Sequence, residues 1–195
     1  MPNNYYNQHA EAFFSDTFQL DMESLYRPFL EKVEMGGCIV DAGCGSGRDV
    51  QGFVERGYQV LAFDASQELV ALARYNTCLA IQQCTFIEFS TEPQSVHGIW
   101  ACASLLHLPY EELSEVLVHF SSFLISGGVI YCSFKYGDDQ VLRNGRCFTN
   151  MNEARLKAVL KGTELVLGDL WISEDLRPDR KDESWLNVIL MKRSE

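Results

Sequence analysis

Val40-Asp41-Ala42-Gly43-Cys44-Gly45-Ser46-Gly47 is the stretch on which the fold turns. The apolar residues Cys38-Ile39-Val40 read as a short strand ending at Asp41. Residues 48–56 read as a helix stopped by Gly57. Glycines at 43, 45 and 47 permit a tight turn and bring bare backbone close to a ligand. The helix behind them offers unpaired N–H groups in its first turn. Asp41 places an anion at the strand tip, which repels a pyrophosphate and attracts an ammonium. The dinucleotide pattern G-x-G-x-x-G is also broken, because Arg48 stands where its third glycine belongs.

Outward from this loop, a second strand over residues 58–63 leads into Asp64, 21 positions beyond Gly43. An acid at the end of a second strand can accept the hydrogens of both ribose hydroxyls. Ser66 caps a predicted helix reaching about Tyr75, with Glu68 in its first turn. Further strands are predicted at 83–87, 98–102, 129–134, 165–172 and 185–191, and helical patterns alternate with them. Pro109 opens one helix, whose stripe is Leu113, Val116, Leu117, Phe120 and Leu124. Asn150 and Glu153 have the spacing of a capping box for another. In the first 35 residues Met22, Leu25, Tyr26, Phe29, Leu30 and Val33 follow helical spacing, with Asp21 as a cap and Pro28 expected to kink the helix or shift its boundary. Alternating strands and helices predict an α/β sheet. The link 173–184 is too short for a crossover helix, so the last two of the seven strands should pair antiparallel.

The composition sets bounds. A chain of 195 residues with 47% apolar content carries one full core, so residues 1–195 are expected to form a single domain. No run approaches a membrane span, and no leader pattern is visible. Seven cysteines, an odd number with no C-x-x-C pair, predict free thiols in a reducing, cytoplasmic setting and no metal site. A net charge of -11 disfavours nucleic acid as a partner.

D-x-G-x-G-x-G followed by an acid ending the second strand resembles the class I S-adenosylmethionine-dependent methyltransferases. Ile99-Trp100-Ala101-Cys102-Ala103-Ser104-Leu105-Leu106-His107 and Gly127-Gly128-Val129-Ile130-Tyr131 extend the resemblance over nearly the whole chain. The short length is similar to small members, tellurite-resistance-type methyltransferases among them. The resemblance implies a Rossmann-like sheet of order 3-2-1-4-5-7-6, strand 7 antiparallel, helices on both faces, with S-adenosylmethionine as cofactor and S-adenosylhomocysteine as product. It implies an N-terminal segment, 1–35, covering the cofactor on a core of 36–195. Asp41, Gly43, Cys44 and Gly45 would hold the methionine end, flanked by Gly47 and Arg48. Asp64 would bind the ribose, Ala65 and Ser66 would lie by the adenine, and Glu88 with Phe89 would meet the adenine amino group. Ala103 would supply backbone contacts. Tyr5 and Tyr6 would close over the donor.

On the acceptor side, His107 follows strand four on the edge where such sheets bind ligands, and is a candidate base together with Tyr6. Lys135, Tyr136, Arg146, Arg177 and Arg180 are candidate substrate contacts, the cations suiting an anionic group. The same cations have neighbouring acids with which to pair. The expected activity is methyl transfer to a small molecule, an anionic one where these cations are free to bind it, by a monomer or homodimer. The alternatives are methylation of protein or RNA, a cofactor-binding module without turnover, and a nicotinamide oxidoreductase.

Overall fold

The computed structural model describes residues 2–193. Its strands are β1 (Cys38–Ala42), β2 (Gln59–Asp64), β3 (Gln82–Gln83), β4 (Val96–Ala101), β5 (Leu124–Lys135), β6 (Gln140–Arg143), β7 (Arg146–Thr149), β8 (Leu165–Glu174) and β9 (Ser184–Lys192). Its helices are α1 (Pro2–Thr17), α2 (Glu23–Leu30), α3 (Arg48–Glu55), α4 (Gln67–Thr77), α5 (Leu113–Phe123) and α6 (Glu153–Val159). The main sheet runs β3-β2-β1-β4-β5-β9-β8. With β6 and β7 set aside as a separate hairpin, that is the order 3-2-1-4-5-7-6. β9 lies antiparallel to both β5 and β8. No helix among the described residues is long and apolar enough to cross a membrane.

Side chains alternate across the sheet, as the pleat requires. Val40, Ile99, Ile130 and Cys132 enter the core under α5 and α6. Ile39, Trp100, Val129 and Tyr131 enter the opposite core, under α2 and α3. Trp100 and Tyr131 are register partners on β4 and β5, and their rings stack 3.9 Å apart. α2 buries Leu25, Tyr26 and Phe29 against this second face, and it ends at Leu30, two residues past Pro28, the shifted boundary of the two outcomes expected there.

Several predicted boundaries move, each for a local reason. The third strand shrinks to Gln82–Gln83, because the Glu88 carboxylate captures the Thr85 N–H at 2.9 Å and its hydroxyl at 2.8 Å and turns the chain off the sheet edge. β5 begins at Leu124 and runs through Gly127-Gly128 instead of starting after them. Asn152, not Asn150, caps α6 by accepting the Arg155 N–H. Asn150 donates instead to Asp139 at 2.6 Å. The β6–β7 hairpin was not foreseen, although Asn144-Gly145 is a strong hairpin signal. Both residues have left-handed φ, 51° and 73°, as a type I′ turn needs.

Asp49, in the first turn of α3, anchors the layer beneath the glycine loop. Its carboxylate accepts from Tyr26 Oη at 2.6 Å, Trp100 Nε1 at 2.8 Å, and Arg48 Nε and Nη2 at 2.7 and 2.8 Å. Burial opposes its ionisation, but Arg48 and these donors outweigh burial and hold its pKa below the usual range. Removing one partner of a buried, hydrogen-bonded ion pair costs about 3–5 kcal/mol. The Asp49→Asn variant should therefore lose about 3 kcal/mol of stability in urea unfolding, and a loss within about 0.5 kcal/mol would contradict this account.

Candidate active site

A cavity of about 1150 Å³ opens at the carboxyl ends of β1, β2, β4 and β5, roofed by α1 and the β6–β7 hairpin. Single-ligand sites run to about 1,000 Å³, so this one has room for a nucleoside-sized molecule and a second small one. Its walls include Gly43, Gly45, Arg48, Asp64, Ala65, Ala103 and His107, with Tyr5, Tyr6 and Arg146 overhead.

The floor is bare backbone. A Cβ on Gly43, whose φ is +78°, would stand 2.6 Å from the Ser104 Cβ. Ser104 is itself fixed by donating to the Ala42 carbonyl at 2.7 Å. Gly45, φ +55°, faces α1, and a Cβ there would lie 3.1 Å from Phe13. The Gly45 N–H donates to Asp64 Oδ2 at 2.9 Å, and the Ser66 N–H to Asp64 Oδ1 at 2.8 Å. Asp64 is thus aimed from two sides. Burial raises its pKa, partly offset by the amides of Ser66, Gly45 and Ala65.

Asp41 lies beneath this floor, 2% exposed, and its Oδ2 has no hydrogen-bond partner among the described residues. Burial first, then the charge of Asp49, pushes its pKa well up, against the pull of Arg48. A buried carboxylate oxygen without a partner carries the full cost of its desolvation. An ammonium, reached directly or through water, is the kind of group that would offset it.

Other predicted cofactor residues support the loop instead of bordering the cavity. The Cys44 thiol donates to the Gly45 carbonyl. Gly47, φ +90°, lets α3 lie against Ala73 and Thr77 of α4. The Ser66 hydroxyl accepts the Leu69 N–H to cap α4 and donates to Asn7 of α1 at 2.7 Å. Glu88 is spent on its turn at Thr85, and Phe89 stacks on Phe63 at 4.4 Å inside the core. Cys84, Thr85 and Phe86 form the wall where those two were expected. Nothing in the residue types at 84–86 marked them; the early end of β3 does. Ala103 borders the cavity with left-handed φ of 49°, and its N–H is already given to the Ser133 hydroxyl at 2.8 Å.

At the other end, Tyr6 and His107 meet, with Tyr6 Oη 2.8 Å from His107 Nε2. His107 Nδ1 lies 2.8 Å from the Cys147 carbonyl, which can only accept, so Nδ1 carries the hydrogen. Nε2 is then the bare lone pair, and Tyr6 donates to it. Arg146 Nη1 donates to Tyr6 Oη at 3.4 Å. The Arg146 guanidinium centre lies 3.7 Å from the Tyr5 ring, 4.9 Å from Phe148 and 5.4 Å from Tyr6. Its buried Nε has no acceptor among the described residues.

The remaining predicted cations divide. Lys135 pairs with Glu183 at 2.5 Å, and Arg177 grips Asp175 through two nitrogens at 2.9 and 2.5 Å. Arg180 lines the cavity from an exposed position. Tyr136 does not line it: 45% exposed, it donates to Glu153 at 3.1 Å. The hairpin brings Arg146 and Phe148 over His107, a placement the linear pattern did not reveal. No group of three His, Cys, Asp or Glu among the described residues is arranged to hold a metal.

Burial lowers the His107 pKa to about 4, more than the Cys147 hydrogen bond restores. A histidine depressed in the folded state binds its proton more readily once unfolded. Its contribution is present above the ordinary value of about 6.5 and is lost as pH falls toward 4. Between those values this imidazole should cost the fold about 3 kcal/mol. In pH-dependent urea unfolding, His107→Gln should remove that part of the acid slope, and an unchanged slope would contradict a buried neutral ring.

Residues 39–128, just under half the chain, match the family model described as a methyltransferase domain. No curated protein matches the chain. Among solved structures, the 1,6-didemethyltoxoflavin-N1-methyltransferase of Burkholderia thailandensis, bound to 1,6-didemethyltoxoflavin and S-adenosylhomocysteine, superposes with TM-score 0.76 at 20% identity, over 98% of this chain and 85% of that one. The magnesium protoporphyrin IX methyltransferase of Synechocystis, bound to S-adenosylmethionine, gives TM-score 0.76 at 16% identity, over 99% and 95%. The cyclase SpnF gives TM-score 0.75 at 13% identity, over 100% and 96%. The chain has the fold of the S-adenosylmethionine-dependent methyltransferases, and its segment from β1 to the start of β5 matches the methyltransferase-domain model.

Proposed function

We propose that the protein is an S-adenosylmethionine-dependent methyltransferase acting on a small molecule, built as one domain whose first 35 residues roof the cofactor. The observation that carries this reading is the pair of carboxylates at the tips of β1 and β2. Asp64 is aimed into the cavity by two loop amides, and Asp41 keeps an oxygen without a partner beneath the glycine floor. Asp64 accepts the ribose hydroxyls, and Asp41 balances the methionine ammonium. Gly43 and Gly45 let the amino-acid tail lie on backbone. Ala65, with Cys84, Thr85 and Phe86, encloses the adenine. The Ala103 N–H is taken by Ser133, which leaves its carbonyl as the backbone group for the methionine. Tyr5 and Tyr6 close the roof.

Bound S-adenosylmethionine supplies an activated sulfonium methyl for in-line displacement, so alignment and exclusion of water carry much of the rate. The chain's own residues set what is aligned. His107 Nε2 is a neutral acceptor facing the cavity and receives a hydrogen from the acceptor group when Tyr6 yields it. Arg146, without a carboxylate partner among the described residues, takes an anionic group, and Arg180 stands at the rim. Lys135 and Arg177 are neutralised by Glu183 and Asp175 and shape the mouth instead. A chalcogen oxyanion would satisfy Arg146 but leave the aromatic walls unfilled.

Calorimetric titration with S-adenosylhomocysteine tests the reading. Wild type should bind, and Asp64→Ala should weaken binding at least about tenfold, the equivalent of about 1.4 kcal/mol. No heat with wild type at millimolar ligand would overturn the proposal.

A further inference from the structure

We propose that the methyl acceptor is a flat molecule with an acidic O–H or N–H, of the phenol, enol or heterocyclic N–H type, bound and methylated as its anion beside Arg146. This rests on the methyltransferase reading and narrows its substrate. The chain already places such a group there: the Tyr6 phenol. Its hydroxyl donates to His107 Nε2 at 2.8 Å and accepts from Arg146 Nη1 at 3.4 Å; burial raises its pKa against the pull of Arg146, so an acceptor that is to bind there as an anion has to be more acidic than tyrosine. Tyr6 sits on α1, the segment that roofs the cavity, and an acceptor hydroxyl or ring N–H takes the same two partners when it replaces that phenol.

Three features select this chemistry. The surroundings are flat and apolar: Tyr5, Phe148 and Trp185 line the cavity, and Arg146 is itself stacked 3.7 Å from the Tyr5 ring. A guanidinium with a buried Nε unpartnered, and no carboxylate partner, among the described residues repels an alkylammonium and attracts a delocalised oxyanion or nitrogen anion. The imidazole presents only a lone pair to the cavity, because Nδ1–H is held by the Cys147 carbonyl. That lone pair can orient an O–H or N–H. Burial leaves it too weak a base to strip an aliphatic alcohol, so the acidity has to reside in the acceptor.

The step balances without an added reagent. The acceptor oxygen or nitrogen lone pair forms a bond to the methyl carbon as the carbon–sulfur bond breaks and its electron pair stays on sulfur. The acceptor's proton leaves past His107 Nε2 to water. The products are the methylated acceptor, S-adenosylhomocysteine and one proton.

The probe is 4-nitrophenol, whose anion absorbs visible light, titrated from acid to alkaline pH with full-length protein saturated with S-adenosylhomocysteine. The bound phenol should ionise at least one pH unit below the free compound, a tenfold preference for the anion. Arg146→Gln should abolish that shift, while Arg146→Lys should keep part of it. Cyclohexanol and cyclohexylamine should not displace the probe. Binding of the neutral phenol, an unshifted ionisation, or no probe binding while calorimetry shows S-adenosylhomocysteine bound would overturn the proposal. Failure to bind S-adenosylhomocysteine would instead overturn the underlying methyltransferase reading.

Discussion

The hydrogen bond from the Gly45 amide to the Asp64 carboxylate is the constraint on which the site depends. It joins the loop after β1 to the tip of β2 and exists only because the chain at 43 and 45 takes left-handed conformations that favour glycine. A side chain at 43 would strike Ser104, and one at 45 would press on Phe13 of the roof. The same geometry leaves the floor without side chains and turns Asp64 toward the cavity.

Beneath the floor, charge is distributed unevenly between two acids. Asp49 takes Arg48, Tyr26 and Trp100, so it is fully partnered and locks α2, α3 and β4 together. Asp41, on the neighbouring strand tip, is left with one unpartnered oxygen and a raised pKa. The fold satisfies one carboxylate at the expense of the other. That asymmetry separates a structural acid from a binding one, though both are buried and belong to the same short segment.

At the far end the balance is reversed. The protein is acidic overall, yet Arg146 is held among aromatic rings without an ion-pair partner among the described residues, beside a histidine kept neutral by burial. A neutral acceptor next to an unneutralised cation favours ligands that arrive with a mobile proton and can shed it. The roof supplies a resident hydroxyl in Tyr6, kept neutral by burial, which occupies the same two partners.

The parallel core was legible because its signals are local and repeated: apolar runs, glycine punctuation, and an acid at the end of each of the first two strands. Loop length alone gave the antiparallel final pair, and Ser66 capped the helix where its side chain predicted. Position in the sequence could not tell which acid after β3 would face the site. Glu88 was consumed by a hydrogen bond three residues away, and its neighbour Phe89 by the core. Asn144-Gly145 did encode a hairpin, but its destination over His107 depends on contacts 39 to 41 residues apart, between Leu108 and His107 on one side and Cys147 and Thr149 on the other. Short-range chemistry in the chain therefore determined the sheet, the glycine loop and its two acids. Tertiary structure alone decided which cations were neutralised, which nitrogen of His107 stayed bare and what stands above it, because each depends on residues distant in sequence competing for the same partners.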